Sequence, residues 1–434
     1  SAAVHGFRDA VNAGVIPDYD YGGYDIGSPQ PCYNNEEVIE AAKTYFLGQI
    51  EKKIASGYEI GKDITVVDVA QLDSGSFCKC KTCINAIAKE RSGVASVLYF
   101  TNEMADAIGE AYPGLWVSMF AYYGTSTPPA KTMPRDNVNV SYCFYNDIDK
   151  LTCGNHTLDG KNCTEHPDDS YGTSNYNYAA EFDRWCQIAK RITVWYYPGN
   201  WALNSITNST IKTMLKDMRY FSDNGVYGIY PCCSNPKKET DWESIDALML
   251  YLYNRLLWNA EMTEEEFQAE IDDYLYVLYG EGGKFVGDYY KWLETTDMIG
   301  CWPFMLGFGD PRKRIDFSKV HDEFELCLSM FDDAVKYAPS AKAEYGVRLA
   351  SRSMYVRGLI SVYHDWYENG NDAQKARYTE LWEYFRNLAV NSSYIFAGGK
   401  SAQLSDFDIN ENIGALVDRL GDSPMREKEW WNWQ

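Results

Sequence analysis

Along the first 240 residues the apolar positions fall into two patterns that alternate. One is a short, nearly continuous run bounded by Gly, Pro, Asn or Asp: "DITVVDVAQ" (63–71), "LWVSMFAYY" (115–123), "NVNVSYCFY" (137–145), "RITVWYYPG" (191–199) and "VYGIYPC" (226–232). These read as buried strands. The other has helical spacing: "NNEEVIEAAKTYFLGQIEKKI" behind an Asn cap, "CINAIAKERSGVASVLYFTNEMADAIGEAY", "NYAAEFDRWCQIAK", and "NSTIKTMLKDMRYFSDNG" with a glycine stop. Strands of this kind alternating with helices predict a parallel sheet covered by helices. Residues 1–35, with "PDYDYGGYDIGSPQPC", read as irregular.

From about residue 243 the pattern is helical throughout. "ESIDALMLYLYNRLLWNA" is strongly periodic, and "MTEEEFQAEIDDYLYVLYG" opens with Thr263 and Glu266 spaced as a capping box. Helical spacing continues in "VHDEFELCLSMFDDAVKYA", "AKAEYGVRLASRSMYVRGLISVYHDWYENG" and "KARYTELWEYFRNLAVNS". The expected fold is therefore α/β: a (β/α) barrel-like domain over residues 1–240, followed by an α-helical bundle domain over 241–434. Five strands are visible, whereas a closed barrel needs about eight. No earlier strand is evident before residue 64, so the barrel is expected to be incomplete.

Composition narrows the function classes. A net charge of −22 leaves no basic stripe for nucleic acid or an anionic membrane. No apolar run approaches the roughly 20 residues of a membrane span. "SAAVHGFRDA" shows neither the basic nor the apolar region of a signal peptide, so any signal is removed or absent. The 35 Tyr and 13 Trp supply core and surface rings, or stacking platforms for sugar C–H faces. Twelve cysteines leave an extracellular, oxidising location open. Cys153 and Cys163 could close a small disulfide, while the vicinal Cys232 and Cys233 are awkwardly placed for one.

Several chemistries lack their motifs. There is no H-E-x-x-H, no G-x-S-x-G, no P-loop and no dinucleotide fingerprint. His156 and His166 share a loop, where solvated side chains are the plainer reading. In a parallel barrel the working residues stand at the C-terminal strand ends. That rule selects Asp73, Tyr122, Tyr123, Tyr145, Asn146, Asp147, Trp195, Tyr196, Tyr197, Tyr230 and Cys232, with Asp241 and Glu243 a loop beyond the fifth strand. Carboxylates among Tyr and Trp suit glycoside chemistry. One acid protonates the leaving oxygen, and a second activates water or attacks. Each of these acids also has a plain reading as a solvated loop residue.

The stretch "QLDSGSFCKCKTC" (71–83) adds a C-x-C-x-x-C array of Cys78, Cys80 and Cys83. Tetrahedral zinc needs a fourth ligand, and Cys32 in "PQPCYNNEEV" is the candidate by chain order. Two disulfides, free thiols, and a redox role for "CKTC" are the alternatives.

Two resemblances follow from these residues. Through "PCYNNEEVIE", "QLDSGSFCKCKTC", "LYFTNEMADAIGEAYPGLWVSMFAYYGTSTPP", "RITVWYYPGN", "DNGVYGIY" and "LYNRLLWNAEMTEEEF", residues 30–300 resemble a bacterial domain of carbohydrate-active, mostly secreted proteins. That domain often lies beside α-glucuronidase-type modules. The resemblance implies a glycoside-hydrolase-like barrel with a helical C-terminal part. Locally, the cysteine array is similar to that of family 42 β-galactosidases, in which four cysteines bind zinc just after an acid/base carboxylate. It implies Asp73 as the acid and Cys32, Cys78, Cys80 and Cys83 as ligands of a structural zinc. That family has Asn-Glu where this chain has Leu72-Asp73.

The expectation is thus a secreted or cell-surface glycoside hydrolase, or a relative of one, acting on an oligosaccharide or complex glycan. Asp73 is the acid, and Asp147, Asp241 or Glu243 its partner. Tyr123, Tyr145, Trp195 and Tyr197 line the sugar subsite. The alternative is a non-catalytic carbohydrate-binding or surface interaction module that keeps the aromatic platform only.

Overall fold

The computed structural model describes residues 30–72, 77–144, 175–196, 209–231, 245–296 and 315–390. They separate into two compact units. The first holds the sheet with α1 to α4, and the second holds most of α5 and every later helix.

In the first unit, α1 (Glu36–Ala55) starts where Asn35 Oδ1 accepts from the N–H groups of Glu37 (2.8 Å) and Val38 (3.3 Å). Glu36 and Glu37 in its first turn and Lys52 and Lys53 in its last turn oppose the helix dipole. Its stripe of Val38, Ile39, Ala42, Phe46 and Ile50 is buried. Then come β1 (Val66–Asp68), α2 (Lys81–Glu90), α3 (Ala95–Ala111), β2 (Trp116–Ala121), β3 (Val138–Cys143), α4 (Asn175–Ile188), β4 (Arg191–Tyr196), α5 (Ile211–Asp223) and β5 (Gly228–Pro231).

The strands form one curled, five-stranded parallel sheet in the order β1-β2-β3-β4-β5. Order in space that follows order in sequence is the winding of consecutive βα units. Among the described residues five strands stand where a closed barrel has about eight, in keeping with the incomplete barrel read from the sequence.

The sheet has two unlike faces. Val117, Met119 and Ala121 pair in register with Val138, Val140 and Tyr142, and Val140 and Tyr142 pair with Ile192 and Val194. All are buried, and α3 packs against β2 on this side. Farther along, Tyr142, Phe144, Phe182, Tyr196 and Phe221 make a ring cluster with centroids 5.0–6.0 Å apart. The other face carries Ser118, Asn139, Ser141 and Thr193, with Asn139 Nδ2 donating to Ser118 Oγ (3.2 Å) and Thr193 Oγ1 (3.0 Å).

The sequence predicts one helix from 83 to 112, and the structure breaks it in two. Arg91 takes a left-handed conformation, φ 53°. A Cβ on Gly93 would lie 2.1 Å from Gly124 O, so only glycine lets the loop after β2 come this close. Ser92 Oγ donates to Thr127 O and accepts from Val94 N–H (3.1 Å). The buried Glu90 accepts from Lys131 N–H (2.8 Å), Thr132 N–H (3.0 Å) and Thr132 Oγ1 (2.8 Å). Trp185 Nε1 donates to Ser126 O (2.7 Å), and Thr127 Oγ1 to Glu181 (2.7 Å). The loop after β2 is thereby fixed from both α2 and α4.

The second unit continues with α6 (Ile245–Trp258), α7 (Glu264–Tyr279), α8 (Gly283–Thr296), α9 (Phe317–Asp322), α10 (Phe324–Lys336), α11 (Ala341–Ala350), α12 (Arg352–Val362), a π turn (Tyr363–Glu368) and α13 (Asp372–Val390). The capping box is present: Glu266 N–H donates to Thr263 Oγ1 (3.1 Å), and Thr263 N–H to Glu266 Oε2 (2.9 Å). Tyr289 packs against Trp292 and Phe331 in the core. A Cβ on Gly358 would meet the Phe324 ring at 2.1 Å, so this crossing of α10 and α12 also requires glycine.

Burial raises the Glu90 pKa, but the donors from Thr132 and Lys131 outweigh it and hold the carboxyl below its usual value. A depressed folded-state pKa contributes stability above the unfolded carboxyl pKa, which is lost as pH falls through the folded value. Glu90→Gln should therefore cost about 1–3 kcal/mol at neutral pH. In urea denaturation the gap to wild type should shrink as pH falls through the depressed Glu90 pKa. A gap unchanged with pH would contradict this role.

Candidate functional site

The residue set that the structure assembles most fully is the cysteine cluster. Cys32 precedes α1, Cys78 and Cys80 precede α2, and Cys83 lies in its first turn. The four Sγ atoms lie within 4.8 Å of one another. Cys32 Sγ is 3.9 Å from Cys80 Sγ and 3.7 Å from Cys83 Sγ, and all four thiols are free. Cys32 and Cys83 are buried and Cys80 is exposed, so the cluster spans the protein surface.

Peptide N–H groups point at the sulfurs: Asn34 at Cys32, Cys80 at Cys78, and Cys83 at Cys80. Asn34 Nδ2 donates to Cys83 Sγ (3.3 Å) and to Ser96 Oγ. Donors of this kind offset negative charge on thiolates. Burial pushes the Cys32 thiol well above its ordinary range, with Cys83 and Cys78 adding to the effect. Burial likewise brings Cys78 up to about 11. Burial raises Cys80 too, but the Cys83 N–H and the hydrogen bonds with Cys83, Cys78 and Cys32 prevail and bring it down to about 7. The donor set, four soft ligands with N–H groups aimed at them, fits a divalent metal that displaces the thiol protons on binding.

The strand end that follows β1 is held as tightly. Val69 N–H donates to Ser118 O (3.0 Å), continuing the β1–β2 pairing. Gln71 Nε2 donates to Thr125 Oγ1 (2.7 Å), whose hydroxyl donates to Tyr122 O (2.8 Å). Leu72 is gripped by the wholly buried Gln30. Leu72 N–H donates to Gln30 Oε1 (2.9 Å), and Gln30 Nε2 donates to Leu72 O. Tyr33 OH completes the set, donating to Gln30 Oε1 (2.8 Å). Nothing in the sequence pattern singles out Gln30 or Asn34. Gln30 shows its chemistry only once the segment before α1 lies beside the end of β1, and Asn34 only once it lies beside α2 and α3.

On the polar face of the sheet, aromatic side chains collect toward the C-terminal strand ends. Trp195 lies edge-on to Phe120 (5.4 Å) and over Tyr230 (4.2 Å). Tyr230 is exposed, and Trp195 Nε1 has no hydrogen-bond partner among the described residues. At the opposite end, the Arg191 guanidinium lies between Trp116 (4.8 Å) and Tyr227 (3.6 Å). Tyr196, next to Trp195, turns to the helix side and is buried against Phe221.

Of the residues the sequence selects, the structure brings together Cys32, Cys78, Cys80 and Cys83. It places Trp195 on the polar face near Phe120 and Tyr230. Tyr123 opens a 3₁₀ turn after β2, Tyr123–Thr125, and its backbone alone is described. Asp73, Tyr145, Asp147, Tyr197, Asp241 and Glu243 lie outside the described residues, as do Cys153, Cys163, Cys232 and Cys233.

A family described as "Domain of unknown function (DUF4838)" matches residues 23–291, which span the cysteine cluster and all five strands. The chain belongs to this DUF4838 family. The match covers much the same stretch as the resemblance read from the sequence. Among solved structures, one that this DUF4838 chain is similar to is described as a "GH138 enzyme targeting pectin rhamnogalacturonan II". Identity is 10%, with 92% of this chain and 72% of that chain covered, at a TM-score of 0.34. No curated protein matches.

The four free thiols make a direct prediction. Cobalt(II) added to the reduced chain should bind as one ion per chain and produce thiolate-to-metal charge-transfer absorption. Cys83→Ser should weaken that absorption and lower the affinity by about tenfold or more. A spectrum without thiolate bands would show that the cluster holds no metal.

Proposed function

We propose that this chain is a glycoside-hydrolase-like protein acting on complex glycans outside the cell, with a structural zinc ion in the cysteine cluster. The observation that carries the reading is the pinned end of β1. Gln71 and Leu72 are held on both sides directly ahead of Asp73, at the C-terminal end of a parallel strand, where barrel enzymes keep their working groups. The half-buried Trp195 with Phe120 and Tyr230 supports a sugar subsite at the same end of the sheet, because ring faces suit sugar C–H surfaces.

In this reading Asp73 protonates the leaving oxygen. Asp147, Asp241 or Glu243 supplies the second carboxylate, which activates water or attacks the sugar. Tyr123, Tyr145 and Tyr197 complete the subsite around Trp195. Residues 1–240 carry the chemistry as an incomplete barrel, and the helices of 241–434 form a second domain. Zinc suits the cluster on distance. Four sulfurs about 2.3 Å from one ion stand about 3.8 Å apart in a tetrahedron. The Cys32 sulfur lies 3.9 and 3.7 Å from two of its neighbours. Bound there, zinc would crosslink the segment before α1 to the turn before α2, with no part in bond cleavage.

The test is hydrolysis of a panel of plant and bacterial oligosaccharides. Asp73→Asn should abolish turnover while leaving the circular dichroism spectrum and melting temperature near wild type. Trp195→Ala should weaken glycan binding by about 1–3 kcal/mol. Full activity in Asp73→Asn would remove the assignment. Binding without turnover in wild type would leave a carbohydrate-binding module instead.

A further inference from the structure

We infer that Gln30 is a positioning residue that makes the end of β1 depend on metal in the cysteine cluster. The inference rests on the proposed metal site, and its readouts need no enzymatic activity.

The geometry is a short chain of contacts. Gln30 pairs with both backbone polar groups of Leu72, as a neighbouring strand would. It is wholly buried, and Tyr33 OH holds its Oε1 (2.8 Å). Cys32 is two residues along, and Tyr33 packs edge-on against Phe100 at 5.2 Å. Asn34 reaches across to Cys83 and Ser96. Residues 30–34 thus touch the β1 end, the cluster and α3 in turn. Gln30 supplies both side-chain hydrogen bonds to Leu72, and Cys32 supplies this segment's sulfur to the cluster.

With the thiols free, the Cys32 sulfur meets those of Cys80 and Cys83 through contacts of 3.9 and 3.7 Å. A metal ion replaces these with bonds to the turn before α2. That removes freedom from residues 30–34 and hence from the Gln30 amide. The strand end carrying Leu72 is then ordered by an ion bound at the cysteines rather than at the strand. An apolar side chain at position 30 would bury equally well and leave the Leu72 N–H and C=O unpaired.

Amide hydrogen exchange at Leu72, measured in the full chain, tests the coupling. In wild type, removing zinc with a chelator should speed exchange at Leu72 by about tenfold or more, while amides in β3 change little. Gln30→Leu should keep one metal per chain and an unchanged cobalt(II) thiolate spectrum. Its Leu72 amide should already exchange fast with metal bound, with no further rise on chelation. Gln30→Glu keeps the acceptor for Leu72 N–H and should fall between the two. Leu72 protection in wild type that is indifferent to chelation would overturn the inference, because Tyr33 and Asn34 would then hold the segment unaided. So would a Gln30→Leu chain in which exchange rises equally throughout the sheet, which marks a purely structural role. If the coupling holds but no glycan is turned over, only the reading of Asp73 falls.

Discussion

The first unit depends on the burial of one face of its sheet. Val117, Met119, Ala121, Val138, Val140, Tyr142, Ile192 and Val194 stand in register on three adjacent strands and are nearly water-free. Such a stripe must be covered by helices, and parallel strands need crossovers to bring the chain back. Both demands are met by the same helices. Once that face is committed, alternation assigns every other residue of β2, β3 and β4 to the opposite side. There the Asn139 amide bonds across strands to the hydroxyls of Ser118 and Thr193. The chemical character of the second face follows from the first.

Much of this was legible in the sequence because it rests on periodicity and local caps. The five strands fall within the five apolar runs, and Asn35, Thr263 and Glu266 cap their helices as their spacing implies. The break at Arg91–Gly93 was not legible. It answers to Gly124, Thr127 and Thr132, which lie on a loop about thirty or forty residues farther along the chain. Ser351 and the π turn after α12 likewise interrupt what reads as one long helix.

The site divides in the same way. Four cysteines could be gathered by counting and chain order, since soft ligands are few and their spacing is restrictive. Gln30 and Asn34 could not, because a glutamine facing a backbone is an ordinary glutamine until its partner is known. Trp195 and Tyr196 show the limit from another side. Both stand at a strand end and both are aromatic, yet one faces the polar side and its neighbour the helix core. The pleat decides between them, and a shift of one residue in register would exchange their roles.

The Trp116–Arg191–Tyr227 stack gives the polar face a direction. A guanidinium held between two rings is stripped of much of its water, and burial depresses its pKa. It is wide and flat enough to fill the gap between the rings, as a lysine ammonium is not. The stack stands at the N-terminal edge of the strands, opposite Phe120 and Trp195. The polar surface between them therefore has unlike ends: a charge clasped by rings at one, and neutral rings at the other.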